Sequence, residues 1–302
     1  DNVDVLSDFL TDDYLSGAAT AALVSIGTEK ANESLLQALI NSKSEVNTLH
    51  FANALGQTGY AKSEPVLLNL LSSSSSEKMN MVLINAISNT GSKESIKPLR
   101  DAAENAGLLY ERSGAVESYI NLLNRLNESE SKLVKNEANK LLSKAKKQNK
   151  NDLKIAATKL LLKQSSANIS KILKGVIKDG NLNYLTNILH AYPFESDKKS
   201  VDIIQKEVSK SKSSDVQTAL IYWLGEKQPE RATSYIAPFI NQSNKMVQKA
   251  ATQSLSKIGS EESLIALASL LKSSDDESVA LAKNALMSFD GDISYTLASV
   301  FD

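Results

Sequence analysis

Cysteine is absent from this chain of 302 residues, and that one absence excludes disulfides, thiolate metal sites and cysteine nucleophiles. Histidine is nearly absent too. His50 and His190 stand 140 positions apart, so a histidine-rich metal centre has little to build on. Only 5 Pro and 12 Gly occur; because these are the strong helix breakers, their scarcity favours helix throughout. Aromatic residues make up 5% of the chain, with one Trp, which weakens any base-stacking or sugar-stacking platform. The net charge of −1 supplies no global field toward nucleic acid or anionic lipid. No apolar run approaches the roughly 18–20 residues that span a bilayer, so no transmembrane segment is expected. No signal peptide is visible, but the chain opens with Asp1 rather than Met, and a processed or trimmed form is the expectation.

What is present is a repeated pattern. Residues 153–163 (LKIAATKLLLK) align without a gap on residues 247–257 (VQKAATQSLSK). The two share the Ala-Ala-Thr centre, the closing Lys and the apolar positions between. Self-similarity at long range is the mark of a repeat array. Small-residue turns give the period: Gly27, Gly59 and Gly91 are each 32 apart, as are Gly259 and Gly291, and Gln228 stands 31 before Gly259. A hydrophobic content of 42% is enough to fill a core.

Each unit reads as two helices. Val247, Ala250, Ala251, Ser254, Leu255 and Ile258 fall on one stripe of a 3.6-residue helix. Gly259 then supplies a left-handed C-cap and Ser260 an N-cap. Leu264, Leu267, Leu270 and Leu271 mark the second helix, which stops at Ser273 and Ser274. Units are predicted to begin near residues 13, 43, 76, 152, 181, 213, 244 and 275. The 74 residues from Gly91 to Ser165, the Gly259 equivalent, fit neither two nor three such units. Here 115–126 and 133–145 read as longer helices, a tetratricopeptide-like hairpin of different gauge. The expectation is one all-α domain over 1–302, with regular repeats at 13–106 and 151–302 and an irregular hairpin at 107–150.

The order of apolar stripe, Ala-Ala, Leu, glycine turn and Leu-rich second helix resembles the HEAT-like repeat family across nearly the whole chain. That resemblance implies a right-handed α-α superhelix of HEAT/armadillo type. Family-typical Asp, Arg and Pro positions are patchy, with Pro65, Pro98 and Pro238 near the second helices. Residues 114–125 (GAVESYINLLNR) and 149–157 (NKNDLKIAA) further resemble Bacteroidetes envelope proteins in which HEAT repeats precede a keto-disaccharide-hydrolase-like sandwich domain. The resemblance implies a periplasmic or envelope module of a carbohydrate-associated protein. It transfers no catalytic residue, since no run of alternating strands is seen.

Candidate sites divide between surface and core. Lys132, Lys135, Lys140, Lys144, Lys146, Lys147, Lys150 and Lys154 face only Glu137 and Asp152 in their run. An anion patch is one reading. Val134, Ala138, Leu141, Leu142 and Ala145 form an apolar stripe through the same helix, however, so the lysines read as its solvated face. Tyr110, Arg112, Tyr119 and Arg125 gather at the odd hairpin and are residue types that dominate contact hot spots. Arg112 and Arg125 are the surface candidates, and Tyr119 a filler between dissimilar hairpins. Of Tyr222 and Trp223, one is expected to pack between repeats and the other to be available to a partner. Asp12 with Asp13, Glu261 with Glu262 and Asp275 with Asp276 sit at helix starts, where the helix dipole accounts for them. His50 and His190 are polar residues at helix edges. No phosphate loop, zinc-ligand spacing or nucleophile elbow appears, so no catalytic set, metal or cofactor is expected.

The reading is a monomeric, non-catalytic scaffold whose second helices line a face that docks a protein or a missing C-terminal domain of the same chain. Residues 295–302 keep their apolar schedule with no polar capping repeat, so continuation or docking is expected there. A base-excision enzyme, known among HEAT-like proteins, is the alternative from another class; scarce aromatics and the near-zero charge weigh against it. A pigment-attaching HEAT-like group is known too, but nothing singles out a pigment pocket. A passive spacer is the third reading.

Overall fold

The computed structural model describes residues 2–12, 14–164, 168–289 and 293–301. Asp13, Ser165, Gly291 and the terminal Asp1 and Asp302 lie outside the described residues. Among the described residues every regular element is helical, as the low glycine and proline content requires.

Two compact units divide between Glu137 and Ala138, inside the segment that broke the repeat spacing. Unit 1 contains α1 (Asn2–Asp8), α2 (Ser16–Ile26), α3 (Glu29–Asn41), α4 (Glu45–Thr58), α5 (Glu64–Ser73), α6 (Glu77–Thr90), α7 (Ile96–Asn105) and α8 (Ala115–Arg125). The division falls within α9 (Ser131–Lys147). Unit 2 contains α10 (Asn151–Leu162), α11 (Ile169–Asp179), α12 (Leu182–Ala191), α13 (Lys198–Lys210) and α14 (Ser214–Lys227). It continues with α15 (Pro229–Ile236), α16 (Lys245–Ile258), α17 (Glu261–Leu270), α18 (Asp276–Leu286) and α19 (Ser294–Phe301). Even-numbered helices are the first helices of successive hairpins. In unit 1, α2, α4, α6 and α8 stack in series; in unit 2, α10, α12, α14, α16 and α18 do so. Each unit is thus a stack of hairpins that cover one another's apolar stripes, the condition a lone hairpin cannot meet.

The predicted unit starts at 152, 181, 213, 244 and 275 fall within a residue of α10, α12, α14, α16 and α18. Polar N-caps explain the sharpness. Ser44, Ser76, Asn181, Ser213, Asn244 and Asp275 each accept a backbone N–H from the first turn that follows, which satisfies an otherwise orphaned donor. At the other end Gly59 and Gly259 close α4 and α16 in the left-handed conformation, φ 66° in both. Gly91 departs from the pattern, being extended at φ −69°.

The odd hairpin is less odd than the sequence suggests. α8 has 11 residues, the length of α2, and only α9, with 17, is long. The expected pair of longer helices is corrected accordingly: the extra length lies in α9 and in the connections at 106–114 and 126–130, where Gly107 and Gly114 adopt positive φ.

Neighbouring hairpins are also stapled by side chains one repeat apart. Glu29 at the start of α3 accepts from Tyr60 and Lys62 in the next hairpin's turn, at 3.1 and 2.6 Å. Glu64 at the start of α5 accepts from Ser92 and Ser95 in the same way. In unit 2, Thr233 of α15 meets Ser263 at 3.0 Å, and Gln248 of α16 donates to Ser278 at 2.8 Å. The fold therefore repeats its polar contacts with the same period as its apolar ones.

Candidate docking surface

α7 ends where Gly107 (φ 65°) and Leu108 (φ 54°) reverse the chain. A branched residue in the left-handed region is strained. Leu108 is held there by burial and by its N–H donating to Ala103 O at 2.8 Å. The chain then runs over the surface through Leu109 and Tyr110, both more than half exposed. Glu111 accepts from the Ser113 N–H at 2.9 Å, and Gly114 opens α8.

Beneath this loop lies a groove of about 700 Å³ bounded by α5, α6 and α7. Its floor is apolar: Leu68 and Leu71 of α5, Met81 and Ile84 of α6, Pro98 and Ala102 of α7. Its ionisable lining residues are Glu77, Asp101 and Glu111, with no cation among them. Asn80 also lines it, and Asn80 Oδ1 is shut off from solvent without a hydrogen-bond partner. An apolar floor with a few polar groups at the margin is the usual make-up of a binding cleft.

The structure separates the six residues singled out from the sequence. Tyr110, 52% exposed, and Arg112, also exposed, flank Glu111 in the loop over the groove. Arg112 itself lines a second, polar groove of about 570 Å³ between α6 and α8, beside Asn85, Glu117 and Asn121. Arg125 donates to Ser88 O at 3.3 Å and to Gly91 O. Its guanidinium satisfies carbonyls at the end of α6, the service that the extended Gly91 turn requires. Tyr119 is interior, 2% exposed, donating to Glu137 at 2.8 Å; burial and then this carboxylate push its phenol pKa up.

Tyr222, 42% exposed, donates to Gln253 at 2.6 Å. Gln253 lines a groove of about 860 Å³ between α16 and α18, whose charged lining residues are Lys249 and Lys257. Trp223 sits at 5% exposure in the unit 2 core. Tyr119 thus takes the filler role expected of it, and of the two adjacent rings Trp223 is the one that packs inside while Tyr222 keeps access to solvent. As contact residues for a partner, Tyr119 and Trp223 are set aside, because the helix stripe turns both rings inward.

The lysine run needs one correction as well. Lys132, Lys140, Lys144, Lys146 and Lys147 are exposed and Lys135 and Lys150 half-buried, but Lys154 is 3% exposed. It pairs with Asp179 at 2.8 Å and lies over the Tyr184 ring at 5.2 Å. Two of the acidic pairs fall at helix starts as expected, Glu261 and Glu262 in the first turn of α17 and Asp275 as the cap of α18 with Asp276 after it. Asp12 lies in the turn before α2, accepting from the Tyr14 and Leu15 N–H groups. The groove residues Leu68, Leu71, Glu77, Asp101 and Met81 were not singled out by sequence. The one signal was Met81, an apolar residue displaced from the buried stripe of Met79, Leu83, Ile84 and Ile87.

Comparison with curated proteins gives no match. Among solved structures, human deoxyhypusine hydroxylase in complex with glycerol is 16% identical, with 96% of each chain covered and a TM-score of 0.35. An engineered protein is 20% identical, with 96% of this chain and 89% of that one covered and a TM-score of 0.38. The family model for HEAT repeats matches residues 32–120 and 201–287. Those two stretches make up more than half of the chain, and the chain belongs to the HEAT-repeat family.

Proposed function

We propose that this protein is a non-catalytic helical-repeat scaffold that docks a segment of a partner protein in the groove under the 106–114 loop. The observation that carries the reading is the groove's half-buried apolar floor, which offers desolvation to an incoming side chain. Leu109 and Tyr110 are exposed in the same loop, next in sequence to the lining residue Glu111.

The titrating groups support the non-catalytic part. Displaced pKa values mark sites that do chemistry unless packing accounts for them. Here packing does: Tyr119 is raised by burial and Glu137, Glu29 is lowered by Lys62 and Tyr60, and Asp275 is lowered to about 2 by Lys245 and Ser278. All are contacts between or within hairpins.

The partner is a separate protein or a domain belonging to a longer form of this chain, and the scaffold works as a monomer. A periplasmic, carbohydrate-associated setting completes the proposal, supported by the resemblance carried by residues 114–125 and 149–157. Fractionation of source cells tests the setting; recovery with the cytosol would remove it. The docking test is capture of a partner by the full chain beside Met81→Asp, with thermal melting compared for both. A partner lost only with the variant, at unchanged melting temperature, is the expected result. Retention by Met81→Asp would overturn the site.

A further inference from the structure

We propose that the groove under the 106–114 loop receives a short amphipathic helix whose flanks are cationic. This rests on the docking reading above and adds the chemistry of the occupant.

Two features select it. First, the groove is bounded by helices whose backbone groups are already bonded within the helix or at its caps. An extended peptide would find no strand edge to pair with and would bury unsatisfied N–H and C=O groups. A helix satisfies its own backbone and presents apolar side chains at i, i+3, i+4 and i+7 to such a floor.

Second, the charge at the rim has one sign. Glu77 stands in the first turn of α6 and has no ion-pair partner among the described residues. Glu111 accepts hydrogen bonds from Ser113, which hold its carboxylate below the usual range and so ionised. Asp101 is already paired with Lys97 at 2.6 Å, so Glu77 and Glu111 carry the attraction. Opposite charge at the rim of an apolar contact sets orientation and approach, and like charge repels.

The groove between α16 and α18, lined by Lys249 and Lys257 without an acid, has the opposite preference and acts as an internal control.

The test is selection of peptides from a displayed random library on the intact chain, followed by fluorescence-polarisation titration of the enriched peptides. Titrations use the parent chain, Met81→Asp and the exposed double variant Glu77→Lys/Glu111→Lys, each checked by circular dichroism melting. The expected peptides are amphipathic and net positive. They bind at least about tenfold more weakly to the double variant, lose binding to Met81→Asp, and weaken as salt rises. Enriched peptides that need Met81 but are neutral or acidic, or ignore the double variant, would overturn the cationic occupant and leave the docking site standing. No peptide sensitive to Met81→Asp would remove the site itself.

Discussion

Unit 1 buries an anion and unit 2 buries a cation, and the difference lies in what each leaves behind when removed. Glu137, 3% exposed, accepts from Arg100 at 3.1 Å and from the buried Tyr119 hydroxyl at 2.8 Å. Lys154, equally buried, pairs with Asp179 and covers the ring of Tyr184. The Tyr184 hydroxyl, however, is held by Thr158 at 2.6 Å, independently of the lysine. Arg100 and Asp179 both keep some access to water, but Glu137 satisfies a second group, the buried Tyr119 hydroxyl, and Lys154 satisfies one group only. Glu137→Ala is expected to lose about 3–5 kcal/mol, the range for breaking a buried pair and stranding its partners. Lys154→Met, which keeps the volume, is expected to lose about 1–2 kcal/mol. Urea unfolding of both variants checks the order. Equal losses would mean that the phenol contributes nothing to the contrast.

A second pair of regions looks identical and is not. Gly56 and Gly225 occupy the same position in α4 and α14, and each lies against the next first helix. A Cβ on Gly56 would stand 2.7 Å from the Cα of Ala86, whereas one on Gly225 would stand 2.7 Å from the Cβ of Ser254 and 3.4 Å from its Cα. One obstacle is backbone, the other side chain. Gly56→Ala should destabilise by about 1–3 kcal/mol through overpacking, even after the gain of about 1 kcal/mol in helix propensity. Gly225→Ala should cost less. The sharper measurement is a double-mutant cycle: Ser254→Gly relieves Gly225→Ala, and Ala86→Gly leaves Gly56→Ala unrelieved because the Cα remains. Equal rescue at both sites would refute the distinction.

These contrasts also show where the sequence stops being informative. The 32-residue spacing of Gly27, Gly59 and Gly91 and the polar caps at Ser213, Asn244 and Asp275 are local signals, so the starts of α14, α16 and α18 were readable to a residue. The roles of Glu137 and Lys154 were not. Their partners Arg100 and Asp179 lie 37 and 25 residues away in other helices, and nothing local separates Lys154 from the seven lysines that reach the surface. Arg125 was read as a surface group and is exposed, but its task of satisfying Gly91 O was not legible, because it exists only once Gly91 fails to adopt the left-handed cap. The groove escaped for a similar reason: half-buried Leu71 looks in sequence like any other stripe residue, Met81 is marked only by lying off the buried stripe, and only the 106–114 loop above them makes a cleft.

The smallest expected effect concerns one staple built in two ways. In unit 1 the N-cap of α6, Ser76, donates through its hydroxyl to Glu45 at the start of α4, at 2.9 Å. At the equivalent place in unit 2 the polarity is reversed: Asp275, the N-cap of α18, accepts from Lys245 at the start of α16 and from Ser278 in its own first turn. The second version carries a titratable cap facing a cation, which couples that staple to acid. Lys245 first, and then Ser278, hold the Asp275 carboxyl at about 2 against an ordinary 3.8. Because the folded value is the lower one, the stabilisation is complete above about pH 4 and disappears as pH falls through about 2. The site is exposed to solvent, so the contribution is small and screened by salt. Carboxyl titration by nuclear magnetic resonance is the direct check: Asp275 should remain ionised at pH 3, and Lys245→Ala should return its midpoint toward 3.8. A midpoint that ignores Lys245→Ala would assign the shift to the cap hydrogen bonds from Ser278 alone, and with it would go the claim that the two units staple their hairpins by different chemistry.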